Sequence, residues 1–261
     1  SEQKCIIDLI KREVVPAIGC TEPIAVSLCV AKATEILGVL PEKIEIYLSA
    51  NILKNAMGVG IPGTGMVGLP IAIALGAIIG KSEYCLEVLK DLKPEDVGRG
   101  KQYIAEGRIK IALKEGIADN LYIEAVCKAG EDESVAVIRG THTNIVYQAK
   151  NGEVLCNEAC EDKVTEDDNS PALSFAKVYD FATTVPVDDI RFILESARLN
   201  REASKFSEKG NYGHNVSKTI TGKLGKQVMG ESIFTHMLSY TASACDARMD
   251  GALIPVMSNS G

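Results

Sequence analysis

The order of apolar and polar positions predicts a mixture of helices and strands over residues 1–160. Apolar positions recur with helical spacing from Ile6 to Val15 and from Pro23 to Leu37. Lys43 to Ser49 instead alternates apolar and polar side chains, as a strand with one buried face does. Pro70 to Leu92 is again helical, with a break near Lys81.

Further alternating segments follow, and the gaps between them are short and contain glycine or acidic residues. Strands joined by such gaps usually pair in the antiparallel direction. The last segment follows Asn151-Gly152, a dipeptide typical of tight hairpin turns. We therefore expect a mostly antiparallel sheet. Its predicted strands are Arg108 to Lys114, Asn120 to Lys128, Ser134 to Arg139, Thr143 to Lys150 and Glu153 to Cys156.

The composition becomes acidic and polar from Glu158 to Ser170, and we place a domain boundary there. Beyond it, Ser170-Pro171 is a typical helix start. Helical spacing then continues at Ile190, Ile193, Leu194 and Ala197. The sequence thus predicts an α+β protein with two domains. Domain 1–160 carries helices and the mostly antiparallel sheet, and domain 161–261 is all-helical and incomplete.

Charge and hydropathy exclude several classes of partner. The chain has 261 residues, with 28 Lys and Arg against 35 Asp and Glu, and its net charge of -7 repels nucleic-acid phosphates and anionic lipids. The longest apolar stretch, Leu69 to Gly80, is shorter than the roughly 20 residues that span a bilayer. Ser1 to Arg12 lacks the apolar core of a signal peptide. We expect a cytoplasmic protein that binds neither nucleic acid nor membrane.

The eight cysteines are expected to be thiols, because the cytosol keeps cysteines reduced. The sequence contains no Cys-x-x-Cys pair, so zinc ribbons and close-spaced iron-sulfur ligand runs are absent from it. Cys156 and Cys160 are four residues apart, and we interpret them as ordinary small side chains. No metal ligand is assigned within these 261 residues.

A glycine-rich segment, Gly63-Thr64-Gly65-Met66-Val67-Gly68, matches the G-x-G-x-x-G pattern of dinucleotide-binding proteins. That turn should follow a buried strand directly and lead to a second strand with an acidic end, and neither feature is present here. NAD is therefore the less favoured interpretation. Glycines at a helix start still allow backbone N–H groups to face an anion. We predict that Gly63, Thr64 and Gly65 bind a carboxylate or phosphate of the substrate.

Cys20 lies in Gly19-Cys20-Thr21-Glu22-Pro23, directly before a predicted helix. The positive end of the helix dipole lowers the pKa of a thiol at this position. We expect a partly exposed Cys20 that serves as a base, a nucleophile or a metal ligand. The alternative is a small buried residue in a tight turn. Glu22 could equally be a first-turn acid that only complements the dipole.

Three histidines are present, and the position of His142 best suits acid/base chemistry. His142 lies among small polar residues in a loop between predicted strands, whereas His214 is a second candidate and His236 fits an apolar-patterned helix. The chain ends in Ser258-Asn259-Ser260-Gly261, a hydroxyl-rich loop suited to cradling an anion. Because a chain is not expected to stop inside such a loop, we expect a longer parent protein.

Short segments that extend from near the first residue to the last support a more specific hypothesis. They are Gly19 to Pro23, Asn51 to Asn55, Pro62 to Pro70, His142 to Val146, Ile190 to Leu194, Asp246 to Met249 and Pro255 to Gly261. Together they resemble the iron-sulfur L-cysteine desulfidases, which are grouped with the alpha chain of the bacterial L-serine dehydratases. No single segment is specific, but the combination is.

The resemblance implies a lyase of cysteine catabolism that converts L-cysteine to pyruvate, ammonia and sulfide. It also implies a four-iron, four-sulfur cluster in the complete protein, with ligands beyond Gly261, so none is expected in this fragment. An open iron would bind the leaving thiolate while a base takes the α-proton. The resemblance assigns catalysis to Cys20, and we add His142 from its loop position. The resemblance also implies that Asp246 to Arg248 lies near the substrate and that Ser258, Asn259, Ser260 and Gly261 bind its anionic group. We further predict substrate binding by Asn51, Asn55, Gly63, Thr64, Gly65 and Asn144.

Two alternatives stay open at this point. The first is an L-serine ammonia-lyase, because serine differs from cysteine by one atom. The second is a non-catalytic binding half that holds a substrate or a partner chain without chemistry. As partners we consider a homo-oligomer or a missing C-terminal segment. If the chain is a lyase, Pro62 to Gly68 and the His142 loop should converge on the Cys20 turn. Elimination requires an anchored carboxylate and a base around one small substrate.

Overall fold

The computed structural model describes residues 2–158, 172–222 and 232–257. Its α-helices are α1 (Glu2–Glu13), α2 (Thr21–Leu37), α3 (Ala50–Ala56), α4 (Leu69–Ile79), α5 (Pro94–Ala105), α6 (Phe175–Thr184), α7 (Leu194–Glu208), α8 (Val216–Thr219) and α9 (Ile233–Met249). Its strands are β1 (Pro16–Ile18), β2 (Lys43–Leu48), β3 (Gly60–Ile61), β4 (Met66–Val67), β5 (Ile109–Leu113), β6 (Tyr122–Ala129), β7 (Asp132–Arg139), β8 (Ile145–Lys150), β9 (Glu153–Asn157) and β10 (Pro255–Met257). Short 3-10 helices cover Ser82–Glu87 and Val187–Ile193.

A six-stranded sheet has the order β5-β2-β6-β7-β8-β9. Strands β2 and β5 are parallel, and all other neighbours in this sheet are antiparallel. The hairpin succession predicted from the short gaps therefore holds from β6 to β9. It does not hold between β5 and β6, because β2 inserts between them. The chain returns from β2 to β5 through helices, as a parallel pair requires.

The expectation of an all-helical second half is wrong. That expectation concerned residues 161–261, where the strand β10 pairs antiparallel with β1, with Ala17 opposite Val256. These two strands have only three residues each, which is too short for an alternating pattern to be recognised. Helices and strands thus occur in both parts of the α+β fold. The domain boundary near residue 160 stays a prediction, and Ser170-Pro171 lies outside the described residues.

Helix α2 is buried on almost every side. It packs against β6 and β7 and against α4, which is itself almost entirely buried. A helix that is apolar all round is typical of a protein core. The left-handed Gly38 ends α2 and donates its N–H to the Thr34 carbonyl oxygen at 2.9 Å. Within the described ranges, no helix has both the length and the apolar character of a membrane span.

The backbones of α2 and α4 approach each other closely at Gly76. A Cβ added at Gly76 would lie 2.6 Å from the carbonyl oxygen of Ser27, a distance that side chains do not tolerate. The Ser27 hydroxyl also donates to the carbonyl oxygen of Ala72 at 2.8 Å, so this buried polar group is paired. The contact fixes α2 against α4 over its middle turns.

The helices of the C-terminal part bury small residues rather than the predicted apolar face. On α7, Ser196, Leu199 and Ala203 are buried, whereas Leu194 is 63% exposed. Helix α7 packs against α9, and α8 packs against the same helix. Asp246 of α9 accepts the backbone N–H of Val216 at 2.9 Å, which ties α8 to α9.

We predict that Gly76→Ala destabilises the protein by about 1–3 kcal/mol, because the added methyl group overpacks the α2–α4 contact. Gly98→Ala is the matched control, since Gly98 is an exposed position of α5 with no atom within 4 Å of its added Cβ. It should stabilise the helix by about 0.5–1 kcal/mol. Urea unfolding followed by circular dichroism gives both values. Equal effects at the two glycines would contradict the close approach.

Candidate functional site

The candidate site lies at the N-terminus of α2, in the turn that follows β1. Gly19 has φ +84, and an added Cβ would lie 2.5 Å from Cγ of Pro62. Only glycine fits there, because L residues with side chains rarely adopt this conformation. Arg248 of α9 donates its Nε–H to the Gly19 carbonyl oxygen at 3.2 Å. The turn is thus held between the glycine-rich segment and the end of α9.

Cys20 is the N-cap residue of α2, which confirms its predicted position at a helix start. Its thiol donates a hydrogen bond to Oε2 of Glu22 at 3.0 Å. The expectation of a partly exposed thiol with a lowered pKa is wrong. Cys20 is only 8% exposed, and burial together with the Glu22 carboxylate raises the pKa of the thiol to about 12. Cys20 is therefore a protonated thiol at neutral pH.

Glu22 is the centre of the hydrogen bonds at this turn. Its Oε2 also accepts the Thr21 hydroxyl at 3.2 Å, and its Oε1 accepts Nδ2 of Asn55 at 3.4 Å. Burial alone would raise the pKa of Glu22. Hydrogen bonds from Cys20 and from the backbone, together with the charge interaction with His142, hold this pKa below its ordinary value. Glu22 is ionised at neutral pH. The sequence did not identify it as a site residue, because a first-turn acid has a sufficient local explanation.

His142 lies in the turn between β7 and β8 and faces the same region. Together with Thr21 and Glu13 it lines a cavity of about 50 Å³, which is large enough for a water molecule. Burial lowers the pKa of His142, and the positive charge of Arg248 lowers it further. The negative charges of Glu22 and Glu13 raise this pKa, but they do not offset the lowering. The imidazole is therefore neutral at pH 7. Of the parts predicted to converge on the Cys20 turn, Pro62 lies against Gly19, and His142 lines a cavity with Thr21.

Among the other predicted residues, Asn55 is the one whose side chain joins the turn, through Glu22. Asn51 is exposed on α3. Asn144 is exposed and donates its side-chain amide to the Arg139 carbonyl oxygen at 3.1 Å. Ser258, Asn259, Ser260 and Gly261 lie outside the described residues.

Some of the hydrogen-bond donors of the glycine-rich segment are already paired with nearby backbone carbonyl oxygens. The Gly63 N–H donates to the Gly251 carbonyl oxygen at 2.8 Å. The Thr64 hydroxyl donates to the Ile61 carbonyl oxygen at 2.7 Å. Gly65 has open space where a side chain would be. The roles of Gly63, Thr64 and Gly65 in substrate binding stay predictions.

The other histidines lie elsewhere. The backbone N–H of His214 donates to Asp246 at 3.3 Å, while its side chain is exposed, and His236 is exposed on α9. Within residues 2–158, 172–222 and 232–257, no three His, Cys, Asp or Glu side chains lie close enough together to hold a metal ion. The described residues therefore do not by themselves fit the implied iron-sulfur cluster.

The chain is similar over its whole length to proteins named UPF0597 protein. It is 63% identical to one from Bacteroides thetaiotaomicron over 261 residues, covering 100% of this chain and 61% of the relative. It is 62% identical to one from Bacteroides fragilis with the same coverage, and 43% identical to one from Oleidesulfovibrio alaskensis over 257 residues, covering 98% of this chain and 60% of the relative. The chain thus spans about three fifths of the length of the curated relatives it matches. No family model and no solved structure matches it.

We predict that iodoacetamide at pH 8 labels Cys20 at least tenfold more slowly than the exposed Cys85 and Cys245. The thiolate is the reactive form, and with a pKa of about 12 only about one Cys20 in ten thousand is ionised at pH 8. Mass spectrometry of the cysteine-containing peptides over time measures the three rates separately. Labelling of Cys20 as fast as Cys85 would contradict the buried, hydrogen-bonded thiol.

Proposed function

We propose that this chain carries the proton-transfer site of a lyase that eliminates sulfide from L-cysteine, giving pyruvate, ammonia and sulfide. The observation that carries the proposal is that Cys20, Glu22, Asn55 and Arg248 are joined by hydrogen bonds at one turn, with His142 on a cavity beside Thr21. These residues come from four separate parts of the chain. The sequence resemblance supports the choice of substrate. The implied cluster would need ligands from outside the described residues.

Elimination moves the α-proton of the substrate to a base and breaks the carbon–sulfur bond. In our proposal, the Cys20 thiol first gives its proton to the neutral His142. The Cys20 thiolate then takes the α-proton, and the electron pair of that C–H bond forms the carbon–carbon double bond. The sulfur leaves with the electrons of the broken bond and takes the proton from His142. Hydrolysis of the aminoacrylate gives pyruvate and ammonia.

The protonation states of the two residues support these roles. A thiolate whose conjugate acid has a pKa of about 12 is a strong base once formed, as removal of an unactivated α-proton requires. The neutral His142 can accept a proton at pH 7.

The described thiols other than Cys20 include several that are free and accessible, which supports the proposed cytoplasmic location.

We predict that Cys20→Ala lowers sulfide release from L-cysteine by at least a hundredfold in the complete protein, after anaerobic reconstitution with iron and sulfide. Cys156→Ala is the matched control, because Cys156 lies on the edge strand β9, and it should keep full activity. Sulfide and pyruvate are measured together. Wild-type rates in Cys20→Ala would contradict the role of Cys20, and faster turnover of L-serine than of L-cysteine would favour the dehydratase.

We also predict that activity falls as the pH drops below the pKa of His142, which burial lowers from its ordinary value of 6.5. Protonation removes the lone pair that accepts the Cys20 proton, so kcat should be lost on the acidic side and be constant above it. His142→Gln should lower kcat by about 10²–10⁴-fold and abolish this acidic limb. An unchanged limb in His142→Gln would assign the titration to another group.

A further inference from the structure

We infer that Glu22 is a positioning residue for the proposed reaction, which orients the Cys20 thiol and conducts its proton toward His142. This inference rests on the proposed function. Glu22 contacts Cys20 directly through Oε2 at 3.0 Å, and His142 lines one small cavity together with Thr21, the residue next to Glu22. No other described carboxylate has a hydrogen bond to the Cys20 thiol.

The Glu22 carboxylate is fixed by tertiary structure as well as by its own helix. Asn55 of α3 donates a hydrogen bond to Oε1 at 3.4 Å. Thr21, the first residue of α2, donates one to Oε2 at 3.2 Å. Because both oxygens are bound, the carboxylate cannot rotate without breaking these contacts. The direction of the Cys20 S–H bond is fixed in turn.

A role in helix stability alone does not explain this arrangement. An acid that only complements the helix dipole works while exposed to solvent, where such an interaction contributes about 0.3–1 kcal/mol. Glu95 is such an acid, exposed at the second residue of α5, as Glu22 is at the second residue of α2. Glu22 is instead half-buried, and partial removal of a carboxylate from water is unfavourable unless other groups bind it. The groups that bind it are those of the candidate site.

The proposed step conserves atoms and charge. The Cys20 S–H bond breaks, its proton moves to Oε2 of Glu22, and a proton passes from the carboxyl group to the neutral imidazole of His142. Glu22 ends as the carboxylate it was at the start, and the net result is a Cys20 thiolate and a His142 imidazolium. Glu13 and Arg248 also face His142, and their opposite charges act on its protonation in opposite directions.

The first test uses labelling of Cys20 and does not depend on activity. In Glu22→Gln, the neutral amide no longer stabilises the protonated thiol by its charge, so iodoacetamide labelling of Cys20 at pH 8 should rise at least tenfold. Glu22→Asp keeps the charge and should restore slow labelling in large part. Glu95→Gln, the matched first-turn acid, should leave the rate unchanged. An unchanged rate in Glu22→Gln, with unchanged thermal unfolding, would overturn the inference.

The second test uses the complete protein with L-cysteine. Glu22→Gln should lower kcat at least a hundredfold and change KM less than threefold, because the residue acts on Cys20 rather than on the substrate. A large rise in KM with unchanged kcat would instead show that Glu22 binds the substrate ammonium group, and would overturn the inference. If labelling responds as expected but the wild-type protein releases no sulfide, the proposed function fails while the coupling of Glu22 to Cys20 stands.

Discussion

Helix α2 has almost no side that faces solvent, so its N-terminus cannot shift without moving both the sheet and α4. The Gly76 contact and the Ser27 hydrogen bond hold the middle of α2 so close to α4 that their backbones touch. Protein interiors are packed too densely to absorb such a shift. The Cys20 turn, which begins this helix, is therefore presented to its neighbours in one fixed position.

The same burial reverses the electrostatic expectation for Cys20. A helix dipole contributes about 0.3–1 kcal/mol at an exposed site, in favour of the thiolate. The rise in the pKa of the thiol from 9.0 to about 12 corresponds to about 4 kcal/mol in favour of the thiol. Removal from water and the adjacent Glu22 carboxylate therefore outweigh the dipole. A base formed in this environment is strong, but it is formed only when another group accepts its proton.

The sequence predicted the elements with a clear period and missed the features that depend on distant contacts. Alternation in β5 to β9 and the apolar stretch of α2 were sufficient to locate those elements. The pairing of β1 with β10 was not predictable, because three residues show no period and the partners are far apart along the chain. At the site, Cys20 and His142 were identified by their local surroundings. Glu22 was not, because a first-turn acid has a sufficient local explanation until tertiary structure brings other residues to it. Arg248 was marked only by the resemblance of its segment, because its local sequence is that of an ordinary helix.

The position of Arg248 shows how the two ends of the described chain form one site. An added Cβ at Gly60 would lie 2.5 Å from the carbonyl carbon of Asp250, so the turn after α9 reaches the β3 segment backbone to backbone. The Gly63 N–H then binds the carbonyl oxygen of Gly251 on the same turn. Because Asp250 and Gly251 directly follow α9, this contact sets where Arg248 meets the Gly19 carbonyl. Residues on both sides of the predicted domain boundary therefore determine the charge around Cys20, and its chemistry depends on both.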